Sequence, residues 1–214
     1  MRKYLEIGGV VATAVLIVFG VVAIALGVNG RNTVRSSLKA EQIVGTPDMT
    51  KSGIAAEAKA AGLSASIKLP TADIAGKAIT TGALARDFAT YMRIHALEAS
   101  GGLTYSQMPR YASADGKGTN DATKATKGPN GQPLDNAARD TWVTETALST
   151  ALNASFLAEN VALFGIVTGV AFLLTGIGFG ILVLFGSLRG REPSLQLFGK
   201  RKPKAAGTTP APTA

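Results

Sequence analysis

The sequence predicts a mainly α protein in which two transmembrane helices flank a predominantly helical extracytoplasmic domain. Three features lead there. Two long uncharged apolar runs stand far apart in the chain, the stretch between them carries helix signals with caps and stops, and mean hydropathy is +0.23 beside a net charge of +8. A positive mean hydropathy with a basic balance is unusual for a water-soluble domain, so membrane spans are sought first. The 214 residues allow one or two small domains.

The first run, 7–28, holds no charge and a single hydroxyl, Thr13. Roughly 20 helical residues cross a hydrocarbon core, so it predicts one span. Arg2 and Lys3 precede it, and Ala23-Ile24-Ala25 looks like a small-residue cleavage site. The apolar run exceeds the roughly 7–15 residues of a signal-peptide core, which favours an uncleaved signal-anchor. The second run, 161–188, is also uncharged, with Thr168, Thr175 and Ser187 as its polar members. The division expected is a cytoplasmic N-terminus at 1–6, spans at 7–28 and 161–188, an outer domain at 29–160 and a basic, disordered cytoplasmic tail at 189–214.

Charge placement sets the orientation. Arg2 and Lys3 lie before the first span, and Arg189, Arg191, Lys200, Arg201, Lys202 and Lys204 follow the second. The flanks of the intervening region hold only Arg31, Arg35 and Lys39. Basic residues stay on the cytoplasmic side, so both termini are expected in the cytoplasm and 29–160 outside the plasma membrane. Lys200, Arg201, Lys202 and Lys204 form a local basic run suited to anionic lipid headgroups. Nucleic acid is not an expected partner, because the aromatic interleaving of a base-stacking platform is missing.

Both spans carry small residues on one side. Gly165, Gly169, Gly176 and Gly180 fall within about 60° of one face at 100° per residue, and they form two Gly-x-x-x-Gly pairs of the kind that permits close helix approach. Gly9, Gly20 and Gly27 cluster with Ala12 and Ala23 in the first span. These glycines predict packing of span on span, within one chain or between copies or partners. The spans contain no Asp, Glu, Lys, Arg or His, which argues against a transporter or pump working alone.

Within the outer region, 32–44 reads as a helix with Asn32 as its cap and Gly45-Thr46-Pro47-Asp48 as its stop. A second, Ala-rich helix runs from about Lys51 to Ala61, with Gly62 following it and Gly53 weakening its first turn. Alternation over 64–69 reads as a short strand ended by Pro70. The clearest helix spans Gly82–Ala99, capped by Thr81 and stopped by Gly101-Gly102. Its apolar side is expected to hold Leu84, Phe88, Tyr91 and His95, with Arg86, Thr90, Arg93 and Glu98 facing away. Residues 112–133 lack any large apolar side chain and read as an exposed mobile loop. Helical pattern returns from Leu134 with Asp135 as a candidate cap. It runs either unbroken from Asn136 to Leu188 or with a break near Asn153 or Asn160.

Candidate chemistry is sparse. With no Cys, disulfides, thiolate catalysis and Cys-based metal sites are excluded within the chain, and a single His excludes any site needing two imidazoles. That residue, His95, sits on a face expected to be buried and reads as a core histidine with a hydrogen-bonded partner. Asp115-Gly116-Lys117-Gly118-Thr119-Asn120-Asp121 superficially resembles a calcium loop, but Lys117 occupies the third ligand position and Lys127, at the far end, is no terminal carboxylate, so it reads as a solvated turn. Asn153-Ala154-Ser155 matches the glycosylation sequon on a helix close to the membrane, where modification is not expected. No cofactor and no metal is expected.

Several strings resemble a family of actinobacterial two-span membrane proteins: 41–50 (EQIVGTPDMT), 91–99 (YMRIHALEA), 108–111 (MPRY) and 142–153 (WVTETALSTALN). The resemblance covers nearly the whole chain except the tail, and it implies an actinobacterial envelope setting. Members often bear the description aromatic ring-opening dioxygenase. Extradiol ring opening uses Fe(II) held by two His and one carboxylate, which one His cannot supply, so no catalytic residue carries over. The expectation is a non-enzymatic envelope protein with an interaction, structural or accessory role. The alternative is a non-catalytic subunit of a membrane complex or enzyme.

Overall fold

A computed structural model describes residues 2–186 of the chain. Four helices follow in order: α1 (Arg2–Ala40), α2 (Lys51–Ala60), α3 (Gly82–Ala99) and α4 (Ala137–Leu184). No strand forms among the described residues, only isolated β-bridges. α1 and α4 are long and apolar enough to cross a membrane. They lie against each other, and their ends beyond the apolar stretches build the domain that α2 and α3 complete.

α1 is one helix where two were expected. Asn32 does not cap a new helix; it lies inside α1, which ends at Ala40 and not at the Gly45–Asp48 turn. Glycine costs about 1 kcal/mol in a helix interior, and Gly30 falls between the two expected helices. Two neighbours offset that cost: α4 packs alongside Gly30 through Ala162, and Glu159 of α4 pairs with Arg31 and Arg35 just beyond it. Past Ala40 the chain turns through Gln42, in the left-handed region at φ 54°, and runs extended. There Ile79 donates its N–H to Ile43, Gly45 donates to Lys77, and Gly76 donates to Gly45. Gly45 approaches Ile74 so closely that a Cβ would stand 2.1 Å from the Ile74 carbonyl oxygen, so only glycine fits.

α2 agrees with expectation to within a residue. Thr50 caps it by accepting the Gly53 N–H at 3.1 Å, and Gly62, at φ 67°, follows its end. Gly53 does more than weaken the first turn: a Cβ there would lie 2.8 Å from the Thr50 hydroxyl and 2.9 Å from the Asp48 carbonyl oxygen. Residues 64–69 are turns, not the expected strand. Among the described residues no neighbouring strand exists to pair with them, and the Ile67 N–H closes locally onto Ser64.

α3 has the expected bounds and cap, with the Leu84 N–H on the Thr81 hydroxyl. Its faces differ from expectation. The deepest side chains are Ala85, Ala89, Tyr91 and Ile94, while Leu84 and Phe88 are half-buried. Arg86 and Arg93 do not face away: they lie over the Phe156 and Trp142 rings of α4 at 4.5 and 4.6 Å. α3 is covered on two sides, so a one-sided stripe misassigns it. Ile54, Ile74, Ile79, Leu38 and Leu152 complete the core around Tyr91. Burial pushes the Tyr91 phenol up to about 12, with Asp73 and Asp87 adding to the effect, and its hydroxyl donates to the Ala72 carbonyl.

Residues 112–133 are mostly exposed and are tied together by backbone bonds. Tyr111 exchanges both bonds with Thr119, and Ala112, Thr126 and Leu134 link in a relay. Asp115 accepts from Ser113 and from the Lys117 N–H, which makes the solvated turn expected of that segment.

α4 is unbroken for 48 residues, about 72 Å at the helical rise. Its cap is Asn136, which accepts the Ala138 N–H, and not Asp135. Neither Asn153 nor Asn160 breaks it. Each turns its side-chain amide back onto the carbonyl four residues earlier, at 2.8 Å, and so satisfies itself within the helix.

Candidate functional site: a glycine seam, a carboxylate collar and the His95 corner

Along the α1–α4 seam, small residues of the two helices approach each other within one chain. Gly20 and Gly169 face each other: a Cβ on either would come within 2.8 Å of the other's carbonyl oxygen. A Cβ on Gly27 would stand 2.6 Å from the Ala162 carbonyl oxygen and from Ile166 Cγ1, one on Gly176 2.9 Å from Ile17, and one on Gly180 3.1 Å from Thr13. A Cβ on Gly165 would make only ordinary contact with Ala23 and Gly27. Gly9 is half-buried, and its carbonyl accepts the Thr13 hydroxyl. Gly8 and Gly178 face open space. Lys200, Arg201, Lys202 and Lys204, with the final two residues of the expected second span, lie outside the described residues.

The seam ends at a carboxylate that the sequence reading passed over. Glu159, only 12% exposed, accepts from Arg31 Nε at 3.0 Å, from Arg35 Nε at 2.7 Å and from the Gly82 N–H at 2.6 Å. One side chain thereby joins α1, α4 and the first residue of α3. Burial pushes the Glu159 carboxyl up, but the Gly82 N–H and the two guanidinium groups outweigh it, so its pKa lies below the ordinary value. Gly82 must be glycine here, because a Cβ would meet the Phe156 Cα at 2.7 Å. Only a partial signal lay in the sequence: Arg31 and Arg35 sit four apart on one helix face, and Glu159 is the last charge before the second apolar run.

Farther out, Glu145 of α4 is 4% exposed and takes Arg93 at 3.0 Å and the Ser149 hydroxyl. Beside this pair a cleft of about 610 Å³ opens between α3 and α4, lined by Met92, His95, Ala96, Asp140, Thr144 and Glu145.

His95 is not the satisfied core histidine expected. It is 32% exposed, and its Nε2 lies 3.4 Å from Asp48 Oδ2 and 3.3 Å from Glu57 Oε2. Both oxygens are in ion-pair range, yet neither sits along the N–H direction. Nε2 is thus the one buried side-chain polar atom without a hydrogen-bond partner among the described residues. Asp48 ends the turn that leads into α2, Glu57 stands on α2 beside its buried Ala58, and His95 stands on α3. A hydrogen bond from Thr46 holds the Asp48 carboxyl below the usual range against a smaller opposing effect of burial.

No family model, no curated protein and no solved structure matches the chain.

Proposed function

We propose that the chain is a non-enzymatic, two-span protein of the plasma membrane that holds residues 29–160 outside as a rigidly mounted helical module for interaction or structural support. One observation carries this reading: α1 and α4 leave their apolar stretches without a break and become walls of the outer domain, with Glu159 joining them to α3. The most apolar windows of the two helices are only 6% and 11% buried within the protein. A helix that is the core of a water-soluble domain would be covered by its own chain. Here Val18, Phe19, Leu26, Phe164 and Leu174 point outward, and lipid is the solvent that suits them.

The orientation rests on the basic flanks and tail, which favour cytoplasmic termini and an anionic headgroup contact. The family resemblance supports an actinobacterial envelope setting. Its ring-opening description does not transfer, since one His leaves the iron site of that chemistry incomplete.

The test is fractionation and proteolysis. Carbonate washing is expected to leave the full chain in the membrane, and protease added to sealed protoplasts is expected to cut within 112–133. Release by carbonate, or protection of that segment, overturns the reading. Isolation in mild detergent with a stoichiometric catalytic partner would move the role to accessory subunit.

A further inference from the structure

We propose that Asp48, Glu57 and His95 form a binding site for one first-row divalent transition cation, of the zinc type, on the outer domain. The proposal stands on the outer domain's own geometry and does not depend on which side of a membrane that domain lies.

Two of the three donor separations already stand at ligand spacing. The Asp48, Glu57 and His95 donors all lie within 4.8 Å of one another, with His95 Nε2 at 3.3 and 3.4 Å from the two carboxylate oxygens. Ligands held about 2.0–2.1 Å from a tetrahedral zinc are separated by about 3.3 Å along each edge. Direct hydrogen bonds would instead close to about 2.7–2.9 Å. The imidazole is therefore too far from both oxygens for a good bond and at the right distance to share an ion with them.

The second observation is the buried Nε2 with no partner. A buried polar nitrogen without a bond costs free energy, and native proteins rarely leave one. A neutral imidazole presenting its Nε2 lone pair to a cation removes that cost. The charge balance points the same way. Two carboxylates converge there, and among the described residues no Lys or Arg lies within 4.0 Å of either. A divalent cation neutralises the pair.

The donor set selects the class of metal. An imidazole nitrogen with carboxylate oxygens suits zinc and its first-row neighbours, whereas calcium and magnesium prefer all-oxygen shells. Three protein ligands leave a fourth tetrahedral position for water or for a group from outside. The cation would also clasp the turn before α2, α2 itself and α3, so binding couples to the stability of the domain.

The experiment uses the full chain in mild detergent, stripped with a chelator and dialysed against zinc chloride. One zinc per chain is expected, undisplaced by excess magnesium, with a rise in the thermal unfolding midpoint. His95→Gln and Glu57→Gln are each expected to weaken uptake beyond the roughly 10–100-fold that outer-shell changes cost. Both side chains are about one-third exposed, so the variants are expected to keep the wild-type helical circular dichroism. No zinc uptake by the wild-type chain overturns the proposal. So does uptake unchanged in H95Q, or uptake of calcium in preference to zinc.

Discussion

At the residue scale, Glu159 concentrates three bonds on one carboxylate. Glu159→Gln keeps an acceptor for Gly82 but removes the charge that Arg31 and Arg35 meet. Both arginines are 39% exposed on their side chains and regain water, so the expected loss is about 1–2 kcal/mol, read as a lower unfolding midpoint in detergent. The pH dependence has a definite sign. The folded pKa lies below the ordinary value of 4.5, so the contribution is whole above that value and fades as the pH falls through the folded pKa. Wild type and E159Q are expected to differ at pH 7 and to converge in strong acid. Little of this was legible in the sequence. Spacing put Arg31 and Arg35 on one face, but no pattern shows which distant carboxylate they meet. His95 was misjudged for a related reason: helical periodicity placed it beside Tyr91, while its true surroundings, Asp48 and Glu57, come from a turn and from α2.

At the element scale, the glycines of the seam were legible because close helix approach needs small residues at repeating positions. Their register was not. The sequence could not say that Gly20 meets Gly169, or that one chain supplies both. A side chain at Gly169 would overlap Gly20 and Ile24, whereas one at Gly178 meets nothing within 4 Å. Gly169→Val is expected to cost about 1–3 kcal/mol or more by overpacking, and Gly178→Ala to be neutral or stabilising by up to about 1 kcal/mol. Comparing the unfolding midpoints of the two variants in detergent checks both. The misread breaks share one cause. Asn32, Asn153 and Asn160 all look like helix ends locally, and tertiary packing or a back-bonded amide carries the helix through each. The strand expected at 64–69 failed for want of a partner, which no local pattern reports.

At the scale of the whole molecule, the four helices form one continuous unit and not a domain joined through a broken helix. Continuity of α4 is the feature on which this depends. Proline at Asn160 would remove one helical bond, clash with the preceding turn and cost about 3 kcal/mol. Asn160→Pro is expected to raise amide hydrogen exchange through 150–160 and in α3 while leaving the chain resistant to carbonate. Unchanged exchange would show that the helical domain built on α1 and α4 does not rely on an unbroken α4.

The length of α4 has a mechanical corollary. If α4 crosses the membrane as proposed, about 30 Å of its roughly 72 Å suffices for the hydrocarbon layer, and roughly 40 Å would stand clear as an arm. Spans adjust their lean when bilayer thickness changes. A lean of about 10° would swing the far end of that arm sideways by roughly 7 Å, turning a small alteration in the lipid into a displacement as wide as a side chain is long.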